Sequence, residues 1–244
     1  MPILRTLALG AIAALSFAAA PALAQWTNPY SGRMWNNPGS SLLDTMIQGR
    51  VYRKMLLDSM GKEGEKGAAA PASKPAARPA RITYRPSAAS RVPEEFSASL
   101  LESKADRAEL TRYLRQVMEV YAAKAREERR PHDVGHALTF FVAGNYAILH
   151  EQDVSDDATT ALNQQLDQVL GPDLARASDA QKQQLAEYVV CSTFFALAGY
   201  QQGKQLDKPD QVRTYRDLAA MNLKAVLQVD AARIRLTEAG LQLD

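Results

Sequence analysis

Ser178-Asp179-Ala180-Gln181 opens the stretch that decides the fold, SDAQKQQLAEYVVCSTFFALAGYQQG over residues 178–203. The serine hydroxyl and the glutamine amide three residues later form a capping box, in which each side chain satisfies a backbone N–H that a helix start leaves unpaired. From Leu185 to Leu197 the apolar residues Leu185, Val189, Cys191, Phe194, Phe195 and Leu197 fall on more than one side of a helix. A helix apolar around its circumference must be surrounded by other elements, so this segment is expected at the centre of an all-α bundle. It should end around Gln202-Gly203.

Working outward, the helical pattern is nearly continuous and punctuated by cap signals. Downstream, Lys208-Pro209 opens a last long helix with Val212, Tyr215, Leu218, Ala219, Asn222, Val226 and Val229 on one face, and residues 230–244 read as a turn and a tail holding Ile234, Leu236, Leu241 and Leu243. Upstream, Ser155 with Asp156 and Asp157 starts a helix that Gly171-Pro172 should close. Asp133 is the expected N-cap of a helix reaching about Glu151, with Val134, Leu138, Phe141, Val142, Ile148 and Leu149 inside. Before it, residues 106–128 carry Leu110, Tyr113, Leu114, Val117, Met118 and Tyr121 at helical spacing, stopped by Pro131, and residues 93–101 form a short first helix. No convincing strand is expected.

The first 81 residues differ in kind from this body. Met1-Pro2-Ile3-Leu4-Arg5, an Ala/Leu-rich run over residues 6–20 and Ala22-Leu23-Ala24 before Gln25 have the three parts of a secretory signal, cationic start, apolar centre and small-residue cleavage site. The apolar run is shorter than the roughly 20 residues that a membrane span needs. Residues 1–24 are therefore expected to be cleaved, leaving a soluble periplasmic or secreted protein with no integral membrane segment. Residues 25–60 combine a turn-rich segment containing Trp26, Tyr30 and Trp35 with an amphipathic helix over Leu42 to Met60, whose polar side carries Arg50, Arg53 and Lys54. Residues 61–81, rich in Ala, Pro and Lys without aromatic or large aliphatic side chains, read as a disordered linker, and the helical domain is expected over 82–244.

Charge is unevenly spread. Residues 25–91 hold 11 Lys/Arg against 4 Asp/Glu, whereas residues 92–244 hold 17 against 23, beneath a net charge of only +2. A basic arm on an acidic body suits anionic surfaces or docking on the body itself. Nucleic acid is not an expected partner, because no motif of a nucleic-acid reader accompanies the charge. The single cysteine, Cys191, permits no intramolecular disulfide and lies in the most apolar helix, where it packs as core.

No strong catalytic motif is present. A Gly-x-Ser-x-Gly elbow and a phosphate-binding loop are missing, since the glycines of 61–67 follow no strand and lead to no Gly-Lys-Ser/Thr ending. His132-Asp133-Val134-Gly135-His136 is the one arrangement with metal-ligand spacing, because two histidines four apart on a helix share a face. Asp133 follows the first histidine where the zinc-protease helix has its glutamate, and Pro131 puts His132 at the helix entrance, so the ordinary reading has His132 in the cap region and His136 half-buried. Mid-helix Asn145 is the remaining polar candidate for binding. A buried amide needs partners, and a bond from Asn145 across the core to Asn222 is the structural alternative.

Tyr84-Arg85-Pro86-Ser87, the helix opened near Asp133, Gly144-Asn145-Tyr146, the Ser178 to Gln181 start and the closing Leu236-Thr237-Glu238-Ala239-Gly240-Leu241 together resemble a family of exported bacterial helical domains known only as a domain of unknown function. The resemblance spans about residues 84–244. It implies an exported all-helical domain and brings no active residues with it. The leading expectation is a non-catalytic binding protein of the bacterial envelope, needing no cofactor, that engages a protein or envelope surface through the 42–60 helix and the basic linker. The alternative is a metal-dependent hydrolase using His132 and His136.

Overall fold

The computed structural model describes residues 81–86 and 90–243. The signal, the 42–60 helix with Arg50, Arg53 and Lys54, and all of the linker but Arg81 lie outside the described residues. Within them the chain is an all-α bundle of six helices: α1 (Val92–Leu100), α2 (Lys104–Glu127), α3 (Val134–His150), α4 (Asp156–Leu174), α5 (Asp179–Gln205) and α6 (Pro209–Leu227). A 3-10 turn (Ala231–Arg233) and two short strands, β1 (Ile234–Thr237) and β2 (Gly240–Leu243), follow.

The helices begin where side chains can replace missing intrahelical partners. Ser103, Asp133, Ser155 and Ser178 each accept a hydrogen bond from the backbone N–H three residues on, and Ser178 with Gln181 completes the reciprocal capping box. Pro93 and Pro209 occupy first turns, where a missing N–H costs nothing.

Helix α5 is central, packing against α1, α2, α3 and α6, while α3 also bridges α4 and α6. Val189, Cys191, Phe194, Ala196 and Ala198 are all fully buried, which is the structural counterpart of its all-round apolar sequence. Rings bind the layers together: Phe96 of α1 meets Tyr188 and Phe195 edge-on at 5.5 and 5.9 Å, and Phe195 meets Tyr215 of α6 at 5.8 Å. Helix α6 approaches α5 at Gly199, where a Cβ would stand 1.9 Å from the Tyr215 ring, so only glycine fits this crossing. Asn145 and Asn222 pair between α3 and α6 as anticipated, with Asn222 Nδ2 donating to Asn145 Oδ1 at 2.8 Å while Asn145 Nδ2 donates to the Phe141 carbonyl at 2.8 Å.

Two expectations are corrected. The tail after Asp230 is an antiparallel hairpin, with Ile234 opposite Leu243, Leu236 opposite Leu241 and Thr237 opposite Gly240. Its apolar residues alternate with Arg235 and Gln242, the period of two that marks a half-buried strand, and Gly240 adopts φ +97° at the end of the turn. The hairpin lies on α4, whose Gln165 Oε1 accepts from Leu241 N at 2.8 Å. Helix α4 also does not stop at Gly171-Pro172 but continues through Pro172 to Leu174. Proline there forgoes a backbone bond, yet the preceding Gly171 has no Cβ to strike the proline ring, and burial of Leu170 and Leu174 one turn apart holds the last turn to the core.

Candidate functional site

Residues 81–86 reach the body as an extended strap. Ile82 is buried, Thr83 forms an isolated antiparallel bridge with Asp133, Tyr84 N donates to the His132 carbonyl at 3.1 Å, and Val134 N donates to the Ile82 carbonyl at 2.8 Å. Those bonds satisfy the entrance of α3 with backbone from a distant part of the chain. Arg81 reinforces the strap by donating to the Arg129 carbonyl at 2.8 Å.

Beneath the strap lies a pocket of about 150 Å³, bounded by the strap, the C-terminal half of α2, the 131–133 turn and the first half of α5. Met118, Ala122, Ala125, Ala186 and Val190 make its apolar surface; Tyr84, Tyr121 and His132 are its aromatic residues; Glu187, Gln183, Asp133 and Arg126 are its polar ones. A largely apolar hollow with a few convergent polar groups is the usual form of a small-ligand site.

Glu187 is the unusual member. It is half-buried, its Oε1 accepts from Gln183 Nε2 at 2.9 Å, and its Oε2 accepts from the Ser90 hydroxyl. Burial raises its pKa above the ordinary carboxylate range, opposed by these two hydrogen bonds and by the more distant Arg115. Tyr84 titrates well above a normal phenol, because it is desolvated and because the Glu187 carboxylate stands near it. Asp133 is committed elsewhere: Oδ1 caps α3 through His136 N and Oδ2 takes Arg130 Nε at 2.8 Å. Arg130 extends this link to Asn163 and to Asp167 at 3.0 Å, tying α3 and α4 to the turn before them.

The residues singled out from sequence fall in different places. His132 is exposed on the pocket wall, in a left-handed conformation at φ 56° with its ring 5.4 Å from that of Tyr84. Because α3 begins at Val134, His132 and His136 do not share a helical face, and the i, i+4 chelating geometry is not formed. His136 Nε2 instead lies 3.3 Å from Glu128 Oε2, beneath the Tyr121 ring at 5.7 Å; burial, assisted by the Arg130 charge, lowers its pKa to about 4. Among the described residues no group of three or more His, Cys, Asp or Glu side chains is placed to hold a metal ion. Asn145 is fully enclosed, with both side-chain atoms engaged inside the bundle.

Tyr84, Tyr121 and Glu187 were not singled out from sequence as site residues. A signal for Glu187 exists, since it is the only charged residue between Lys182 and Lys204 on the otherwise most buried helix. Tyr84 had none, because only the fold brings the strap to α5.

The family described as "Family of unknown function (DUF6683)" matches residues 3–244. No curated protein and no solved structure matches the chain.

Proposed function

The chain belongs to this family of unknown function, and from its own residues we propose that it is an exported, non-catalytic binding protein of the bacterial envelope whose contact point is the pocket under the 81–86 strap. One observation carries the reading. The pocket joins an apolar wall to a few fixed polar groups, a composition suited to holding a ligand or a partner's side chain. The strap that roofs it is also the junction with residues 1–80, which carry the signal, the amphipathic 42–60 pattern and the basic excess. Arg50, Arg53 and Lys54 would supply a second, electrostatic contact with an anionic surface.

Two measurements test this. Mass spectrometry of the exported protein should find Gln25 as the first residue; an intact Met1 removes the export argument. Replacing half-buried Ala122 by Trp fills the pocket from α2 and should abolish co-sedimentation of the full chain with envelope fractions while circular dichroism stays helical. Undiminished co-sedimentation of a folded Ala122→Trp protein rejects the pocket as the contact point.

A further inference from the structure

We propose that the pocket under the strap binds a small organic cation, an ammonium group on a short alkyl chain, with Glu187 as counter-ion and Tyr84 and Tyr121 as the aromatic wall. This deepens the binding-protein reading and rests on it.

Glu187 has two neutral hydrogen-bond donors and no Lys, Arg or His within ion-pair distance among the described residues. The basic side chains around it are already committed or turned to water. Arg115 pairs with Glu94 at 2.5 Å and donates to the Ser90 carbonyl; Arg130 is spent on Asp133, Asn163 and Asp167; Arg126 is exposed at the pocket's edge. A half-buried carboxylate without an opposite charge is costly, and an entering cation would relieve that cost. Each carboxylate oxygen retains a lone pair beyond the Ser90 and Gln183 bonds, so an N–H donor can be added without displacing either.

The remaining walls suit the same guest. Tyrosine faces attract cations through their quadrupole, most strongly where water is excluded, and here two tyrosines border the same hollow as the carboxylate. The Met118, Ala122, Ala186 and Val190 surface accepts methylenes. A cavity of about 150 Å³ is known to admit a guest as large as benzene, so a four-carbon ammonium matches it in size. An anion is disfavoured because it would meet the Glu187 carboxylate on α5 and Asp133 on the 131–133 turn, while the lining side chains able to attract it, Arg126 and His132, are exposed.

The test compares three probes of one shape, n-butylammonium, butan-1-ol and butyrate, titrated into the full chain at neutral pH while methyl NMR signals of Met118, Ala122 and Val190 are followed. Butylammonium should bind at least tenfold more tightly than either analogue. Glu187→Gln, which keeps an acceptor for Ser90 but removes the charge, should erase that preference; Ala122→Leu, which occupies the pocket without touching the carboxylate, should remove binding of all three. Equal affinity of the ammonium and the alcohol, preference for butyrate, or no binding by the folded chain overturns the proposal. If butylammonium fails while Ala122→Trp still abolishes envelope association, the cation is wrong and the pocket's role as contact point survives; if butylammonium binds while Ala122→Trp leaves association intact, the reverse holds.

Discussion

Gly199→Ala should destabilise the bundle although alanine is the better helix former. At an unencumbered helical site the change stabilises by about 1 kcal/mol. Here the new Cβ would lie 1.9 Å from Tyr215 Cζ and 2.2–2.3 Å from both Cε atoms, well inside contact distance. Tyr215 cannot swing away cheaply, being 1% exposed and held edge-on against Phe195. Relief therefore requires α5 and α6 to separate, straining the Gln211 Nε2 bond to the Gly199 carbonyl at 2.9 Å. Overpacking of a dense core costs about 1–3 kcal/mol and occasionally more; contact this close belongs at the upper end, for a net loss of about 2 kcal/mol. For a domain of this size that is a fall of about 4–8 °C in Tm. Urea titration and thermal melts of the single variants and of Gly199→Ala/Tyr215→Leu measure it. In the Tyr215→Leu background the clashing ring atoms are gone, and Gly199→Ala should become neutral or stabilising. An unchanged or higher Tm for Gly199→Ala alone, or the same loss in both backgrounds, refutes the close-approach argument.

Three further outcomes are expected. Asn145→Leu should cost about 1–3 kcal/mol by stripping buried Asn222 of its acceptor, and Asn145→Leu/Asn222→Leu should recover part of the loss; strict additivity in urea melts contradicts the pairing. The lowered pKa of His136 means that the unfolded chain takes up its proton first. Its contribution, about 3 kcal/mol by linkage from a shift of 6.5 to about 4, is present above pH 6.5 and lost as pH falls toward 4. His136→Gln should flatten that slope in urea midpoints against pH, and an identical slope discards the assignment. Cys191 is fully buried with a strongly raised thiol pKa, so a thiol reagent should label it only at the unfolding rate; rapid labelling of native protein excludes the packed position of α5.

Fold class and helix order were legible because their causes are local. Ser178 with Gln181, Ser155 and Asp133 mark helix starts by side-chain chemistry, and the all-round apolar surface of 185–197 demands a central place whatever surrounds it. The Asn145–Asn222 bond could be anticipated for a related reason, since two amides on apolar faces need partners. The hairpin was missed although Ile234, Leu236, Leu241 and Leu243 alternate with polar residues; two four-residue strands carry little periodic signal, and the hairpin is tied to α4 by Gln165, 76 residues away from Leu241. Gly171-Pro172 reads locally as a stop, and only burial of Leu174 against the core shows why the helix runs on.

The pocket belongs wholly to the tertiary structure. Tyr84, Tyr121 and Glu187 are far apart in sequence and meet because the strap pairs with the entrance of α3 while α2 packs on α5. Sequence by itself determined what each segment must hide from water, and hence a bundle of helices with α5 at its centre. Which polar groups end up sharing one hollow was decided by packing, because backbone pairing at Thr83 and Asp133 and the close crossing at Gly199 and Tyr215 are distances between segments, and no local pattern encodes them.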